Sequence, residues 1–233
     1  VESELRGDKA DTSLWKYWDK SSGGGKSIVA DAVQTPQGEL RRTVAVNGQP
    51  LTREAAEKET ERIRRFVGDT EAQAKARKSG AHDDAQATAF LKMLPQAFVW
   101  TVDSQKEDAI TLHYQPNPAF QPPTLESRVL AVMAGEMVVA LPGYRIESLS
   151  GHLTRDVLFG YGILGRMNKG GTFRVERREV APGHWEITQS NVHIGGHALL
   201  FKSIGQDSDE VKTQWVPSTA PTLAAAAKEL GVE

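Results

Sequence analysis

Glycine-rich stretches, two spaced histidines and a short alternating run of serines are the residues of this chain whose types and spacing can do chemistry. Gly25-Lys26-Ser27 has the ending of a phosphate-binding loop. Such a loop needs a further glycine where this chain has Lys20, so that successive backbone N–H groups wrap the phosphates. The segment before it is charged, and these glycines are expected to form a turn. Gly160-x-Gly162-x-x-Gly165 matches the dinucleotide pattern. That pattern works at a strand-to-helix turn of a parallel unit, followed by an acidic residue. Here the surroundings read strand–turn–strand and Glu179 falls mid-strand, so a bend or bulge in an antiparallel sheet is expected. His193 and His197 would share one face of a helix, as a zinc site needs. Ile194-Gly195-Gly196-His197 instead reads as a tight hairpin turn that pairs Ile194 with His197 and His193 with Ala198, with the imidazoles on opposite faces. No cofactor or metal is expected.

Ser148, Ser150 and His152 alternate along one strand face, and Glu136 and Asp156 are candidate carboxylates. No Gly-x-Ser-x-Gly elbow is present to activate a serine, so no catalytic residue is assigned. Arg62, Arg64, Arg65, Lys75, Arg77 and Lys78 form a basic stretch, but acids are interspersed and Phe66 is the aromatic near them. A solvated helical face is the expectation, with no nucleic-acid partner.

The elements that must position these residues follow from pattern. The chain has 233 residues, 39% hydrophobic and 25% charged, with net charge -2. That is enough apolar material for a core, and β-rich single domains reach this length, so one domain over residues 1–233 is expected. The charge gives no pull towards nucleic acid or an anionic surface. Cysteine is absent, which removes disulfides, thiolate metal sites and a Cys nucleophile. No apolar run approaches the ~20 residues of a membrane helix. The chain begins at Val1 without Met, and removal of an upstream segment is expected.

Trp15, Tyr17 and Trp18 form an aromatic cluster on a short strand or helix, followed by a turn at Gly23 to Gly25. Residues 27–33 and 39–46 read as a hairpin around Thr35-Pro36-Gln37-Gly38, and Asn47-Gly48 as a second turn. Thr52 caps a helical insertion over about 52–94. Thr70-Glu71-Ala72-Gln73 restarts helix through a capping box, Gly80 breaks it, Asp83 or Asp84 caps a third helix, and Pro95 ends that one. From Phe98 the period switches to two, and strands alternate with turns at Pro142-Gly143, Gly170-Gly171, Pro182-Gly183 and Gly195-Gly196. The reading of the Ala181-Pro182-Gly183-His184 turn, tight or bulged, decides whether Trp185 shares a face with Val180 or with Phe173 and Val175. A helix over about 222–230 closes the chain. The fold class is α+β.

From about Phe98 to Val216 the chain resembles an uncharacterised bacterial envelope family related to the LolA-like lipoprotein-sorting proteins. The residues that carry the likeness are Tyr114-Gln115-Pro116-Asn117-Pro118, Met133-Ala134-Gly135-Glu136-Met137-Val138-Val139, Tyr144-Arg145-Ile146-Glu147, Asp156-Val157-Leu158-Phe159-Gly160, Gly170-Gly171-Thr172-Phe173 and Gly183-His184-Trp185. Val138 and Ala140 stand where relatives carry Trp and Asp. The resemblance implies an incomplete, unclosed β-barrel: a curved antiparallel sheet whose concave face is covered by helices. It implies a periplasmic or cell-envelope protein that is not an enzyme and not an integral membrane protein. Its partner would be a hydrophobic ligand such as a lipid or the acyl chains of a lipoprotein, with Phe159, Phe173, Trp185 and Phe201 lining the cavity. The alternatives are an interaction module without a cavity, docking on an envelope protein partner, and a hydrolase using Ser148 or Ser150 with His152.

Overall fold

The computed structural model describes residues 1–159, 165–198 and 207–232. In chain order the elements begin with α1 (Glu2–Ala10), β1 (Trp15–Gly23), β2 (Lys26–Thr35), β3 (Gly38–Val46), β4 (Gln49–Pro50), α2 (Arg53–Gly68) and α3 (Thr70–Ala97). There follow β5 (Phe98–Gln105), β6 (Ala109–Pro116), a 3₁₀ helix (Glu126–Val132), β7 (Met133–Ala140), β8 (Arg145–Leu153), β9 (Val157–Phe159) and β10 (Gly165–Met167). The last are β11 (Thr172–Ala181), β12 (His184–His193), β13 (Gly196–Ala198), β14 (Ser208–Pro217) and α4 (Leu223–Glu229). The fold is mostly antiparallel sheet, curved and not closed into a barrel. The chain forms two compact units, Val1–Asp11 with Ala87–Asp209, and Thr12–Gln86 with Glu210–Glu233.

In the second of these units, β4, β3, β2 and β1 pair antiparallel in that order. The β2–β3 turn is tight, with Thr35 opposite Gly38. The Thr35 hydroxyl accepts from Gln37 N and donates to the Gly38 carbonyl. Asn47 and Gly48 both take the left-handed conformation, φ 51° and 75°, that such a turn requires and that their small or absent side chains tolerate. The aromatic cluster lies on β1: Tyr17 stacks on Trp215 at 4.4 Å and Trp15 meets Trp215 edge-on at 6.4 Å. The Tyr17 hydroxyl donates to Glu39 at 2.5 Å. Burial, then the Glu39 carboxylate, pushes this phenol well above its ordinary pKa. Thr52 caps α2 by accepting from Ala55 N, and Thr222 caps α4 by accepting from Ala225 N. Ile63 from α2 and Leu223, Ala226 and Leu230 then bury against Val33 and Leu40 of the sheet.

Two helix expectations are corrected. The restart after α2 is capped by Asp69, whose Oδ1 accepts from Ala72 N at 2.9 Å. Gln73 turns back to donate to the Phe66 and Val67 carbonyls at 2.9 and 2.8 Å. A carboxylate suits the positive end of the helix better than the Thr70 hydroxyl. Moreover, α3 runs unbroken: it does not break at Gly80, restart at Asp83 or Asp84, or stop at Pro95. A helical glycine costs only about 1 kcal/mol. Near Pro95, the helix ends at Ala97 because the last carbonyls find outside donors. Trp100 Nε1 donates to Leu94 O at 3.2 Å. Asn117 donates from Nδ2 to Gln96 O at 2.9 Å and from its backbone N to Ala97 O at 2.9 Å.

The main sheet of the first unit runs antiparallel in the order β12, β11, β8, β7, β6, β5. Alternate residues of each strand, among them Tyr114, Met133, Met137, Leu149, Leu153 and Phe173, turn to one apolar face. Leu94 and Ala97 of α3 and Val129, Leu130 and Val132 of the 3₁₀ helix pack on that face. The β11–β12 hairpin carries two register shifts, at Glu176/Arg177 and Glu179/Ala181, and Trp185 lies opposite Glu179. The bulged pairing thus gives Trp185 the side of Phe173 and Val175 rather than that of Val180.

The hairpin expected at Gly195-Gly196 does not form. His193 is opposite Thr172 of β11, whereas Gly196–Ala198 pairs with β10 in a small sheet ordered β13, β10, β9. Gly196 has φ +134° and its Cα lies against the Arg166 carbonyl, where a side chain has no room. That close approach, not a turn, is what this glycine serves. Gly160 and Gly162 lie outside the described residues, as does the strand expected after Ala198.

Helix α1 has no apolar stripe and is held by charge. Glu4 is 0% exposed. It accepts from Ile146 N at 2.7 Å and from Arg145 Nη2 at 3.0 Å, and contacts Arg177. Asp8 joins both guanidiniums at 2.9 and 3.0 Å. Gly7 lies directly on the Arg145 guanidinium, in space a Cβ would occupy. Asp11 meets His184 Nδ1 at 3.1 Å.

Candidate binding groove

The face of the first unit's sheet opposite its apolar core is hollowed into an open groove of about 810 Å³. Register builds it. Thr101, His113, Glu136, Ser150, Arg174 and Asn191 stand directly opposite one another across β5, β6, β7, β8, β11 and β12. A parallel row, Ala134, His152, Thr172 and His193, lies two residues further along. With strands about 4.8 Å apart, six strands give a groove roughly 24 Å long.

Glycines make its floor. Between the two polar rows, Tyr114, Gly135, Gly151 and Phe173 are register partners. Tyr114 is on the apolar face, and its hydroxyl donates to the Ser150 carbonyl at 3.0 Å. A Cβ at Gly135 would collide with the Ser150 carbonyl and one at Gly151 with the Ala134 carbonyl, and both would meet the Tyr114 hydroxyl. The glycines therefore let the phenol lie across the strands, and Tyr114 and Phe173 lie beneath the floor of the groove. Burial raises the Tyr114 pKa above the ordinary phenol value.

The walls are polar, and their charges are matched. His193 Nδ1 pairs with Asp207 and its Nε2 with Asp209 at 3.1 Å. The Asp207 hydrogen bond, opposed by desolvation and helped by Asp209, raises the imidazole pKa. Asn191 Nδ2 donates to Asp209 at 2.6 Å. His113 Nε2 meets Asp103 at 3.2 Å, and Arg174 Nε donates to Glu176 at 2.7 Å. Each of these three side chains has a carboxylate beside it.

The residues singled out in the sequence fall in different places. Ser150 and His152 both line the groove, yet among the described residues neither Ser148 nor Ser150 is hydrogen-bonded to His152. Asp156 accepts from Arg166 and from Lys169 N, both at 2.7 Å, and is not paired with Glu136 or His152. Gly24 and Gly25 form the β1–β2 turn. Among the described residues no group of three or more His, Asp or Glu side chains is placed to hold a metal. Of the four aromatics, Phe159 is fully buried in the core and Phe173 is half-buried against it under the groove. Trp185 lines a separate pocket of about 500 Å³ with Ser3, Arg6, Arg145 and Glu179. Phe201 lies outside the described residues.

Sequence reasoning left out His113, Arg174, Asn191 and Gly151 as groove residues. The signal was present as polar residues alternating on each strand, but only the register of the six strands, with β8 paired to β11, brings them to one row. No family model, curated protein or solved structure matches this chain. Among the described residues no helix is long and apolar enough to cross a membrane.

Proposed function

We propose that the protein is a non-enzymatic binding or carrier protein of the bacterial cell envelope, whose ligand is hydrophobic or amphipathic, such as a lipid or a lipoprotein acyl chain. The observation that carries this reading is the groove floor of Ala134, Gly135 and Gly151 over Tyr114 and Phe173, in a groove of about 810 Å³. Small-molecule sites fall in the range of about 300–1,000 Å³, with an apolar lining and a few polar groups that fix orientation. An extended chain lies along such a floor while its polar end meets His, Asn and Thr side chains of the walls. An interaction module is the second reading, favoured by the polar walls, with the same face meeting an envelope protein.

The test is displacement of a fluorescent fatty acid from the intact chain. Wild type is expected to bind the probe, and Ala134→Trp, which fills the floor with an indole, to lose binding at unchanged thermal stability. No binding by folded wild type, or equal binding by the variant, overturns the carrier reading.

A further inference from the structure

Among the described residues, the outer edge of β5 is an edge of the first unit's sheet without a partner strand. The strand pairs with β6 on one side and ends the sheet order on the other. Its sequence, FVWTVDSQ, is rich in β-formers. Val99 is 53% and Val102 65% exposed, one towards each face of the sheet. Proteins blunt such edges with lysine, proline, charge or bulges. Here the straight run Phe98–Val102 carries none of these. It starts where α3 ends at Ala97 and stops at the register shift between Val102 and Ser104.

We propose that this edge is an interface between two copies of the chain, β5 pairing antiparallel with β5 of a second copy about a two-fold axis at Trp100. The bounds of the straight run dictate the centre. With Trp100 opposite its symmetry mate, Val102 faces Phe98 of the second copy and Val99 faces Thr101. Residues of one face meet residues of the same face, as strand alternation requires, and the window holds no charge to oppose itself. Such a contact is isologous and closes at two copies. Thr101 lines the groove, so the second copy's strand continues the groove across the axis and contributes to its lining.

Sedimentation velocity of the intact chain, from micromolar to several hundred micromolar without ligand, is expected to show a concentration-dependent dimer. Val99→Lys and Val102→Lys are expected to abolish it while circular dichroism and thermal midpoint stay as in wild type, because both side chains are exposed. The chain has no cysteine, so a Val99→Cys, Thr101→Cys double variant reports register directly. Oxidation is expected to give a covalent dimer, and Val99→Cys alone to give little. A wild type that stays monomeric, lysine variants that dimerise as wild type does, or a double variant that does not cross-link each overturns the proposal. None of these readouts depends on what the groove binds.

Discussion

Replacing Glu4 by glutamine keeps the shape of the side chain and removes its charge where two arginines converge. The glutamine oxygen can still accept from Ile146 N, which Glu4 accepts at 2.7 Å. Its NH₂ then faces the guanidiniums of Arg145 and Arg177, donor against donor. Removing one partner of a buried ion pair costs about 3–5 kcal/mol. Asp8 still reaches both arginines at 2.9 and 3.0 Å, which places the expected loss near the low end, about 3 kcal/mol. Urea unfolding followed by circular dichroism measures it, and amide exchange of α1 shows whether the helix alone lets go. If it does, the α1 amides lose protection while the main transition shifts less. Asp8→Asn is the contrast. Burial raises the Asp8 pKa above its ordinary value, outweighing the attraction of Arg145. The folded state therefore holds the Asp8 proton more tightly than the unfolded state does. Wild type gains stability relative to Asp8→Asn as pH falls through that raised pKa, and the gain disappears as pH rises. A Glu4→Gln chain within about 1 kcal/mol of wild type, with α1 still protected, refutes the reasoning. It would mean that desolvation cancels the attraction of the buried charges.

Three further outcomes are expected. Gly151→Ala should destabilise by about 1–3 kcal/mol through overpacking, because its methyl meets the Ala134 carbonyl and the Tyr114 hydroxyl. Gly143→Ala, whose nearest neighbour is Arg145 Cγ at 3.6 Å, should leave the thermal midpoint nearly unchanged. The His193 imidazole, followed by NMR, should titrate above the ordinary value of about 6.5, and Asp207→Asn should bring it down. The sign follows from the raised pKa: the His193 pairing is fully present below the ordinary value and is lost as pH rises through the folded one.

Local signals in the sequence were read correctly where a short stretch decides its own conformation. The Thr35–Gly38 and Asn47-Gly48 turns and the Thr52 cap are such places. Signals failed where distant residues decide. Helix α1 has no apolar period, and its partners Arg145 and Arg177 lie far along the chain. Gly80 and Pro95 read as breakers because local propensity says so, but α3 is anchored on either side of Pro95 by Leu94 and Ala97 in the core and by Asn117 and Trp100 at its end. Gly196 reads as a turn residue because sequence does not show the Arg166 carbonyl against it. The groove was hidden for the same reason: each strand announces its polar side, while the register across strands, and the pairing of β8 with β11 past β9 and β10, is set by distant residues.

The two irregularities of the β11–β12 hairpin form a pair. Thr172 faces His193 before the first, Arg177 faces Ile187 between them, and Ala181 faces His184 after the second. The first places an extra residue, Thr188, on β12, and the second places one, Val180, on β11. These offsets are equal and opposite, so the phase lost at the first bulge is recovered before the Pro182-Gly183 turn. Deleting Thr188 or Val180 alone leaves the turn one step out of phase with the strands it joins. Deleting both restores a continuous ladder with the same turn. The hairpin thus tolerates length changes only in matched pairs, and gains and losses at these two sites should occur together.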